Sequence, residues 1–480
     1  MKKSALVVSL VVLGSSSPAY AGGIFSGHKG ARVAGRAGAF TAKADDISAV
    51  LYNPAGLAKV GTTLLQVGNR FSFHPASFTR APVMDTSFAT VRNEQIAQAL
   101  DPMIGVVTNF GKLENWGFAL TIMAPPGIAR AAYPIDGGQR YMMVSRESVA
   151  LNYALSAAWK HKNRVGVGAS VQWIHTPILK YQTVVNGNIL PQQNYAPVSS
   201  ELDLLATIDG RDLFAFNAVL GAWFRPIQAL ELGISGQIVP SAIKAKATLD
   251  LEMIDEDSEF EPSLSRDRRP ANDVTLTVPL PLSARIGARY RHLKDDREVF
   301  DIELDVSYEA WSFVDQFTVD TKDLEVSIGS GVAPFPVGTI AIEKRWRHVF
   351  GVHLGSDIVA IPDRFVVRAG LGYESPTARR AYTNVDFATG HHLLAGVGFS
   401  VLVKGFEIAA AYDFRGMLPV DVTVDEGRVY QQVPGSPCVA PYTDETNCAE
   451  EILGQPAAVV NAGRYTAQSH AASLELIYRF

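Results

Sequence analysis

The chain lacks the long apolar run that a membrane-spanning helix requires. It has 480 residues, 47% of them hydrophobic, yet no run of 18 or more apolar residues follows its N-terminus. A helix that crosses a bilayer needs roughly 20 such residues. The sequence therefore argues against a helical membrane protein.

Strong charge of either sign is also missing. The formal net charge is −5, and 19% of the residues are charged. Proteins that bind nucleic acid use many basic residues to contact phosphates, so we expect no nucleic-acid partner. A soluble chain of this length usually splits into two or three domains, but no linker and no shift in composition divides this one.

Catalytic motifs are absent as well. The obvious histidine pairs are His391-His392 and His348/His353, and no nucleophile motif lies near either. The chain contains no G-x-S-x-G, no H-E-x-x-H and no P-loop. We therefore expect neither enzymatic activity nor a cofactor, although an outer-membrane enzyme remains an alternative.

The chain has only two cysteines, Cys438 and Cys448, in a polar, proline-rich stretch. In an oxidising compartment, two nearby thiols are expected to form a disulfide that closes a surface loop. A metal site would need further ligands nearby, and none is present, so we predict no metal.

The N-terminus has the pattern of a targeting segment. Lys2 and Lys3 precede a short apolar core from Ala5 to Leu13, and Ala19-Tyr20-Ala21 fits a cleavage site. We predict a signal peptide over 1–21. The alternative is an uncleaved membrane anchor, but the apolar core is too short to span a bilayer comfortably. Export across a bacterial inner membrane follows.

The body of the chain alternates apolar and polar residues with period two. In 300–312 ("FDIELDVSYEAWS"), Ile302, Leu304 and Val306 share one face, and acidic residues share the other. This pattern indicates strands with one apolar and one polar face. A soluble sandwich and a transmembrane barrel both fit it.

The connections between strands favour the barrel. We count about fourteen strands, with long connections after odd-numbered strands and short ones after even-numbered strands. Short turns on one rim and long loops on the other, with aromatics near strand ends, are typical of an outer-membrane barrel. We predict an all-β, antiparallel barrel over 61–480 with both termini in the periplasm.

Partners follow from this prediction. The barrel would contact outer-membrane lipids, and its last residues, "LELIYRF", end on an aromatic that suits recognition by the barrel-insertion machinery. We expect a monomer.

About fourteen strands also enclose a lumen too wide for wall side chains alone to fill.

The segment that precedes the first strand is a candidate plug, or hatch. Residues 22–60 are rich in glycine and alanine, which let backbones approach closely. Asp45 or Asp46 could cap a short helix that ends near Tyr52, or pair with inward arginines, and Pro54 would stop that helix. The lumen would thus contain an N-terminal hatch.

Residues 35–58, "GRAGAFTAKADDISAVLYNPAGLA", resemble the N-terminal signature of the FadL family, which includes TodX-type aromatic-hydrocarbon channels. The shared features are Gly35-Arg36-Ala37, Asp45-Asp46 and Asn53-Pro54-Ala55, followed by Gly56. Later stretches are also similar to the family, namely "LPLSARIGARY", "LDVSYEAWSFVDQF", "WRHVFGVHLG" and "FVVRAGLGYESP".

The resemblance implies passive uptake of hydrophobic molecules such as long-chain fatty acids or hydrocarbons. A substrate would meet a groove between outer loops, enter a pocket near the hatch, and leave sideways where the third strand is kinked. Groove candidates in the predicted loop 183–211 are Ile189, Leu190, Leu204 and Leu205, although a loop helix packed on the rim is the alternative. A general porin is an alternative function.

The kink and the carboxylate anchor have their own candidates. Pro125, Pro126 and Gly127 follow the third strand; they fit a lateral gap or simply the end of the strand. The resemblance implies a basic residue late in the ninth strand that would bind a carboxylate, but this position falls near Thr318. Lys180, near the end of the fifth strand, is therefore the candidate anchor for a carboxylate. The missing basic residue leaves room for neutral hydrocarbons.

Charged residues follow the inward faces of the eighth and ninth strands. They are Arg285 and Arg289 on one strand, and Asp301, Glu303 and Asp305 on the next. An ion-selective channel is one interpretation. We favour a lattice of ion pairs that braces the wall, because the charges occur with both signs on neighbouring strands.

Overall fold

The computed structural model describes residues 27–83, 86–124, 130–186, 203–259, 261–327, 334–430 and 459–480. Fourteen antiparallel strands form the wall of a closed barrel. They are β1 (Leu64–Phe73), β2 (Pro102–Thr108), β3 (Trp116–Met123), β4 (Ser145–His161), β5 (Val165–Asn186), β6 (Asp203–Ile227), β7 (Leu230–Gln237), β8 (Ser283–Lys294), β9 (Arg297–Glu309), β10 (Val349–Ile361), β11 (Phe365–Glu374), β12 (His392–Val403), β13 (Phe406–Met417) and β14 (Gly463–Arg479).

Each wall strand pairs with the next along the chain, and β1 pairs with β14 to close the barrel. The closing register runs from Leu64 opposite Arg479 to Phe73 opposite His470. A sheet closed in this way leaves no open edge in the bilayer. The predicted fold class, a barrel of fourteen antiparallel strands, is confirmed.

The two faces of the wall differ as the barrel requires. On β9, Asp301, Glu303 and Asp305 are fully buried, whereas Ile302 and Leu304 between them are 45% and 47% exposed. A soluble sandwich would bury the apolar set instead. The apolar side chains face outward toward lipid, and the polar ones face the interior.

Additional strands prolong the wall on the side of the long connections. They are Ala76–Arg80, Val91–Arg92, Ala97–Gln98, Arg130–Ala132, Ser241–Met253, Asp273–Leu280, Gln316–Asp320, Ile340–Glu343 and Val420–Val422. Four more form a small separate sheet: Ser263–Arg266, Arg269–Pro270, Glu325–Ser327 and Phe335–Pro336.

One of these extensions corrects the predicted loop over 183–211. Residues 203–211 belong to β6 and pair with both β5 and the strand Ser241–Met253. Leu204 and Leu205 therefore lie in a strand rather than in a loop. Their neighbours Ala206 and Ile208 pack into an apolar cluster, and this period-two pattern explains why the strand continues.

The helices are short. They are α1 (Ala31–Ala34), α2 (Ala49–Tyr52) and α3 (Leu57–Val60), with 3₁₀ turns at Pro54–Gly56, Trp311–Phe313 and Arg380–Tyr382. Among the described residues, every helix is too short or too polar to cross a membrane.

The capping prediction for the acidic pair is wrong in detail. The residue that precedes α2 is Ser48, which has helical backbone angles and makes no side-chain cap. Asp46 instead accepts a hydrogen bond from the Ser48 backbone N–H at 2.8 Å. Asn53 is extended (φ −165°, ψ 96°) and ends α2, as expected for a residue before proline.

Candidate functional site

Residues 27–60, which we call the N-terminal segment, contact the inner face of the wall on all sides. Wall residues that lie against the segment come from strands around the whole barrel: Gln66, Gly117, Gly168, Gly221, Gly233, Gly287, Asp305, Gly355, Gly370, Gly396, Glu407 and Glu475. The segment therefore occupies the interior of the barrel. Its helices and turns are almost entirely buried.

Glycines on the wall let the backbone of the segment approach closely. A Cβ at Gly168 would lie 2.5 Å from the Ala55 nitrogen, and one at Gly233 would lie 2.6 Å from the Thr41 oxygen. Real Cβ atoms do not come this close to backbone atoms, so side chains at these positions would push the segment away. Gly117, Gly221, Gly287, Gly355, Gly370 and Gly396 meet the segment in the same way.

Arg36 makes the strongest ionic contact between the segment and the wall. Its guanidinium lies 2.7 Å from Asp301, 2.6 Å from Asp357 and 2.9 Å from Glu303, and its side chain is fully buried. Lys43 lies 3.1 Å from the same Asp301. Buried charges must be paired and hydrogen-bonded, so these carboxylates hold the segment in place.

Backbone N–H groups of the segment bind the same acidic face. Asp305 accepts hydrogen bonds from the nitrogens of Phe40 and Thr41, each at 2.8 Å, and Glu303 accepts one from Ala42 at 2.6 Å. The predicted charge lattice exists only in part: Arg289 lies 2.7 Å from Asp301 across β8 and β9. The acidic residues mainly bind the N-terminal segment.

A second anchor lies on β13 and β14. Arg32 contacts Asp45 at 2.8 Å and Asp46 at 3.2 Å within the segment, and Glu407 of β13 at 3.7 Å. Glu475 of β14 accepts a hydrogen bond from the Ala31 backbone N–H at 2.7 Å. The acidic pair therefore binds an arginine of the segment itself.

The Asn53-Pro54-Ala55 motif fastens the segment to β6. The Asn53 amide donates hydrogen bonds to the carbonyls of Thr41 at 2.8 Å and Ala222 at 3.0 Å. Trp223 donates from its ring to the Ala55 carbonyl at 3.0 Å. A side chain at Gly56 would collide with the Ala44 backbone. The motif thus lies against β6.

We expect Asn53→Ala to loosen the N-terminal segment and leave the barrel folded. The substitution leaves two buried carbonyls without their donor, which costs roughly 1–3 kcal/mol. Hydrogen exchange of the amides in 40–56 should accelerate, while the heat-modifiable migration of the barrel persists. Asn272→Ala, which removes a hydrogen bond to the exposed Asp250 carboxylate at 2.8 Å, is the control. Unchanged exchange in Asn53→Ala would refute the role of this side chain.

A cavity of about 120 Å³ lies directly against the segment. Gly27, His28 and Tyr52 line it from the segment, and Arg285 and Arg415 line it from the wall. Burial, and then the positive charge of neighbouring His353, lowers the pKa of His28 to about 3. That imidazole is therefore neutral at physiological pH. Arg285, predicted to join the charge lattice, lies over the Tyr52 ring at 5.1 Å.

A second cavity of about 50 Å³ lies toward the long connections and shares Arg415 with the first. Arg146 and His392 also line it. Arg415 lies 2.9 Å from Glu374 and 3.3 Å from the His392 ring nitrogen. A cationic side chain thus stands between the outer and inner cavities.

The long-connection side carries an aromatic cluster. Trp311, Phe317, Trp346 and Phe387 contact one another edge to face. Lys344 lies within this cluster, 5.0 Å from the centre of the Phe317 ring, and forms a buried ion pair with Asp386. Trp311, Phe317 and Trp346 are buried, and Phe387 also lines the outer cavity.

Lys180 does not lie where an interior carboxylate anchor must. It pairs in register with Asp209, which is exposed, while Leu179 and Tyr181 pack against the inner apolar cluster. A register shift between β5 and β6 next to Thr176 changes which residues face inward. Lys180 therefore faces outward, whereas Arg285 and Arg415 line the inner cavity.

Several predicted site residues lie outside the described residues. They are Pro125, Pro126 and Gly127 of the lateral-gap prediction, Ile189 and Leu190 of the groove, and Cys438 and Cys448 of the disulfide. These predictions stay as stated. Within the described part of the chain, no cluster of histidine, cysteine and acidic residues could hold a metal ion.

Sequence reasoning missed the inward glycines and the role of Arg415. A usable signal was present, because glycines recur at every second position in "VGVG", "AGLG" and "AGVG". Glycine inside a strand often marks a close approach by another backbone. This pattern would have predicted which wall positions the N-terminal segment packs against.

The closed wall, apolar outside and polar inside, defines an outer-membrane β-barrel. A family model described as outer membrane protein transport protein (OMPP1/FadL/TodX) matches residues 11–414. The chain belongs to this family and is an outer-membrane transport protein.

Solved structures show the same fold. A FadL homologue from Pseudomonas aeruginosa is 16% identical, with a TM-score of 0.72 over 96% of this chain and 100% of that one. The toluene transporter TodX from Pseudomonas putida is 14% identical, with a TM-score of 0.61 over 95% and 100% of the two chains. The toluene transporter TbuX from Ralstonia pickettii is 15% identical, with a TM-score of 0.58 over 94% and 98%. The sequence matched none of the curated proteins with which it was compared.

Proposed function

We propose that this protein takes up hydrophobic small molecules across the outer membrane by passive diffusion through the barrel interior. The observation that carries the proposal is the buried N-terminal segment, held to the wall by Arg36 and by backbone hydrogen bonds, with two cavities next to it. A plugged barrel with internal cavities suits a hydrophobic molecule better than a stream of ions. The names of its structural neighbours, a FadL homologue and toluene transporters, support this class of substrate.

The path begins at the aromatic cluster and passes the outer and inner cavities. In the inner cavity a substrate meets Gly27, His28 and Tyr52 of the segment. It therefore proceeds only when the hatch, which we predict to comprise residues 22–60, rearranges. Lateral exit beyond β3, at the candidates Pro125–Gly127, completes the route. We further propose that the protein acts as a monomer with both termini in the periplasm.

Arg415 indicates which substrates the interior can hold. The inner cavity, about 120 Å³, is similar in size to an apolar cavity of about 150 Å³ that binds benzene. It holds one ring or one headgroup at a time. Its two arginines, Arg285 and Arg415, can pair with a carboxylate through charge-assisted hydrogen bonds. We therefore propose long-chain fatty acids as substrates, with neutral hydrocarbons as a second class.

We expect Arg415→Ala to reduce uptake of a labelled long-chain fatty acid by roughly 10- to 100-fold, since a hydrogen bond to a charged group contributes about 1.5–3 kcal/mol. Uptake of toluene should change little. The measurement is whole-cell uptake in a strain without its own uptake protein. Arg415→Lys should retain part of the fatty-acid uptake, and Arg464→Ala, on an exposed ion pair, is the control. Equal losses for both substrates would contradict carboxylate binding at Arg415.

A further inference from the structure

The wall of the barrel contains a seam between β6 and β7. Ladder pairing between these strands runs from Ile227 opposite Leu230 to Val219 opposite Gln237, and there it stops. It resumes at Arg211, opposite Lys246 of the extension Ser241–Met253. The interruption spans 212–218 of β6, roughly 23 Å of strand.

Both sides of the seam remain attached to the rest of the wall. Residues 215–218 of β6 still pair with β5, and residues 241–248 still pair with Asp273–Leu280. Two hydrogen bonds between described residues cross the seam, and Ile243 of the extension packs against the apolar cluster that contains Ala215 of β6. The Ile238 nitrogen donates to the Ala218 carbonyl at 3.0 Å, and the Lys244 nitrogen donates to the Asp212 carboxylate at 2.7 Å.

The sequence explains why the ladder fails at this point. Pro240 separates β7 from its extension and has no N–H to donate. On the other side, Leu213 and Phe214 form a bulge against β5, which shifts the register between Asp212 and Ala215. A proline on one strand faces a bulge on the other, so neither can complete the pairing.

The seam joins an apolar exterior to the inner cavity. Leu213, Phe214 and Ile238 are 47%, 68% and 52% exposed on the outer face. On the inner face, Ile174, Ala215 and Leu280 form an apolar cluster. Ile174 also lines the inner cavity, together with Asn217 and Gln237.

The seam lies on the outer-leaflet side of the N-terminal segment. Asn53 binds Ala222, farther along β6 toward the short turn at 228–229. The seam residues 212–218 lie nearer to the strand extensions on the long-connection side. A molecule that crosses the seam therefore reaches the cavity without displacing the segment.

We propose that the β6–β7 seam is a lateral entrance, through which a neutral apolar molecule dissolved in the outer leaflet passes directly into the inner cavity. This inference rests on the proposed uptake function and adds a second way into the interior besides the outer cavity. A neutral hydrocarbon uses it because it partitions into lipid and needs no charged partner. Opening the seam breaks side-chain contacts and two hydrogen bonds rather than a full ladder.

The test links the two sides of the seam covalently. Asp212→Cys and Lys244→Cys place one thiol on each side of the seam. The Asp212 carboxylate already accepts a hydrogen bond from the Lys244 backbone N–H, so a short, reducible reagent that reacts with two thiols can link the two cysteines. Cys438 and Cys448 are replaced by serine in all variants. Phe224→Cys with Leu232→Cys, register partners in the intact ladder of the same strands, is the matched control.

We expect the linked seam to lower toluene uptake at least fivefold, reduction to restore it, and the linked control to match its reduced form. Full toluene uptake with the seam linked would overturn the entrance while leaving the proposed function intact. Absence of uptake in the parent protein would instead contradict the proposed function.

A second measurement does not depend on the cysteine variants. Because the Ala218 carbonyl faces β7, the amides of Ala218 and Phe216 also point into the seam, since N–H and C=O of one strand residue point the same way. In the unmodified protein they should exchange at least tenfold faster than the amides of Leu220 and Ala222, which face the intact ladder. Equal protection of the two pairs would overturn the seam.

Discussion

Deleting residues 22–50 should turn the barrel into an ion-conducting pore. The deletion removes α1, half of α2 and the Arg36 anchor, so the fourteen-stranded wall is left with little to fill it. Barrels of 16–18 strands contain aqueous channels, and a fourteen-stranded lumen is only somewhat narrower. We expect single-channel conductance in planar bilayers to rise by at least about tenfold.

The deletion should also make the pore selective for cations. Asp301, Glu303 and Asp357 lose Arg36, and Asp305 loses the backbone donors of Phe40 and Thr41. Asp301 keeps Arg289 and Asp357 keeps Arg368 as partners, but Glu303 and Asp305 lose the partners that the segment provides, and carboxylates left without partners attract cations and repel anions. If the deletion leaves conductance unchanged and uptake intact, residues 22–50 do not plug the barrel.

Arg36→Ala should release the segment more strongly than any other single substitution in it. The change leaves three buried carboxylates without their shared cation, and breaking a buried ion pair typically costs 3–5 kcal/mol. Hydrogen exchange of the amides in 30–45 should accelerate by roughly 100- to 1,000-fold. The barrel itself should keep its heat-modifiable migration.

Two further variants separate the ionic contact from general damage. Arg36→Ala combined with Glu303→Gln removes one positive and one negative charge, while Asp301 and Asp357 keep Arg289 and Arg368 as partners, so its exchange rates should fall back toward those of the parent. Arg297→Ala breaks an ion pair whose side chains are 75% and 88% exposed, and such pairs contribute at most about 1 kcal/mol. Similar exchange in Arg36→Ala and Arg297→Ala would contradict the anchoring role of Arg36.

The wall was predictable from sequence because its signal is local. The alternation in 300–312 identifies which residues of β9 face lipid, and the connection lengths give the strand number and the orientation of the turns. The structure confirms the fourteen strands, with short turns on one rim and long connections on the other. The start of β6 was missed. Leu204–Ile208 alternates like a wall strand, but we assigned these residues to the predicted loop 183–211.

The interior could not be predicted at the same level, because it depends on contacts between distant parts of the chain. Strict alternation from Gln172 places Lys180 inside the barrel, and one shift of register beside Thr176 turns it outward. The acidic residues of β9 were correctly placed on the inner face, but only the structure shows that their partner is Arg36. The sequence does not distinguish an inward glycine that contacts the backbone of the segment from one that does not.

The most direct test of the account is to lock the segment to the wall and measure uptake. Ala31 and Ala34 of α1 pack in one cluster with Ala409 and Ala411 of β13, so Ala34→Cys with Ala409→Cys offers a disulfide of small added volume in a Cys438→Ser/Cys448→Ser background. The account predicts that the oxidised protein takes up neither labelled fatty acid nor toluene, that reduction restores uptake of both, and that ion conductance stays low in both states. Uptake by the oxidised protein at the rate of the reduced protein would contradict the claim that substrates pass only when the N-terminal segment moves.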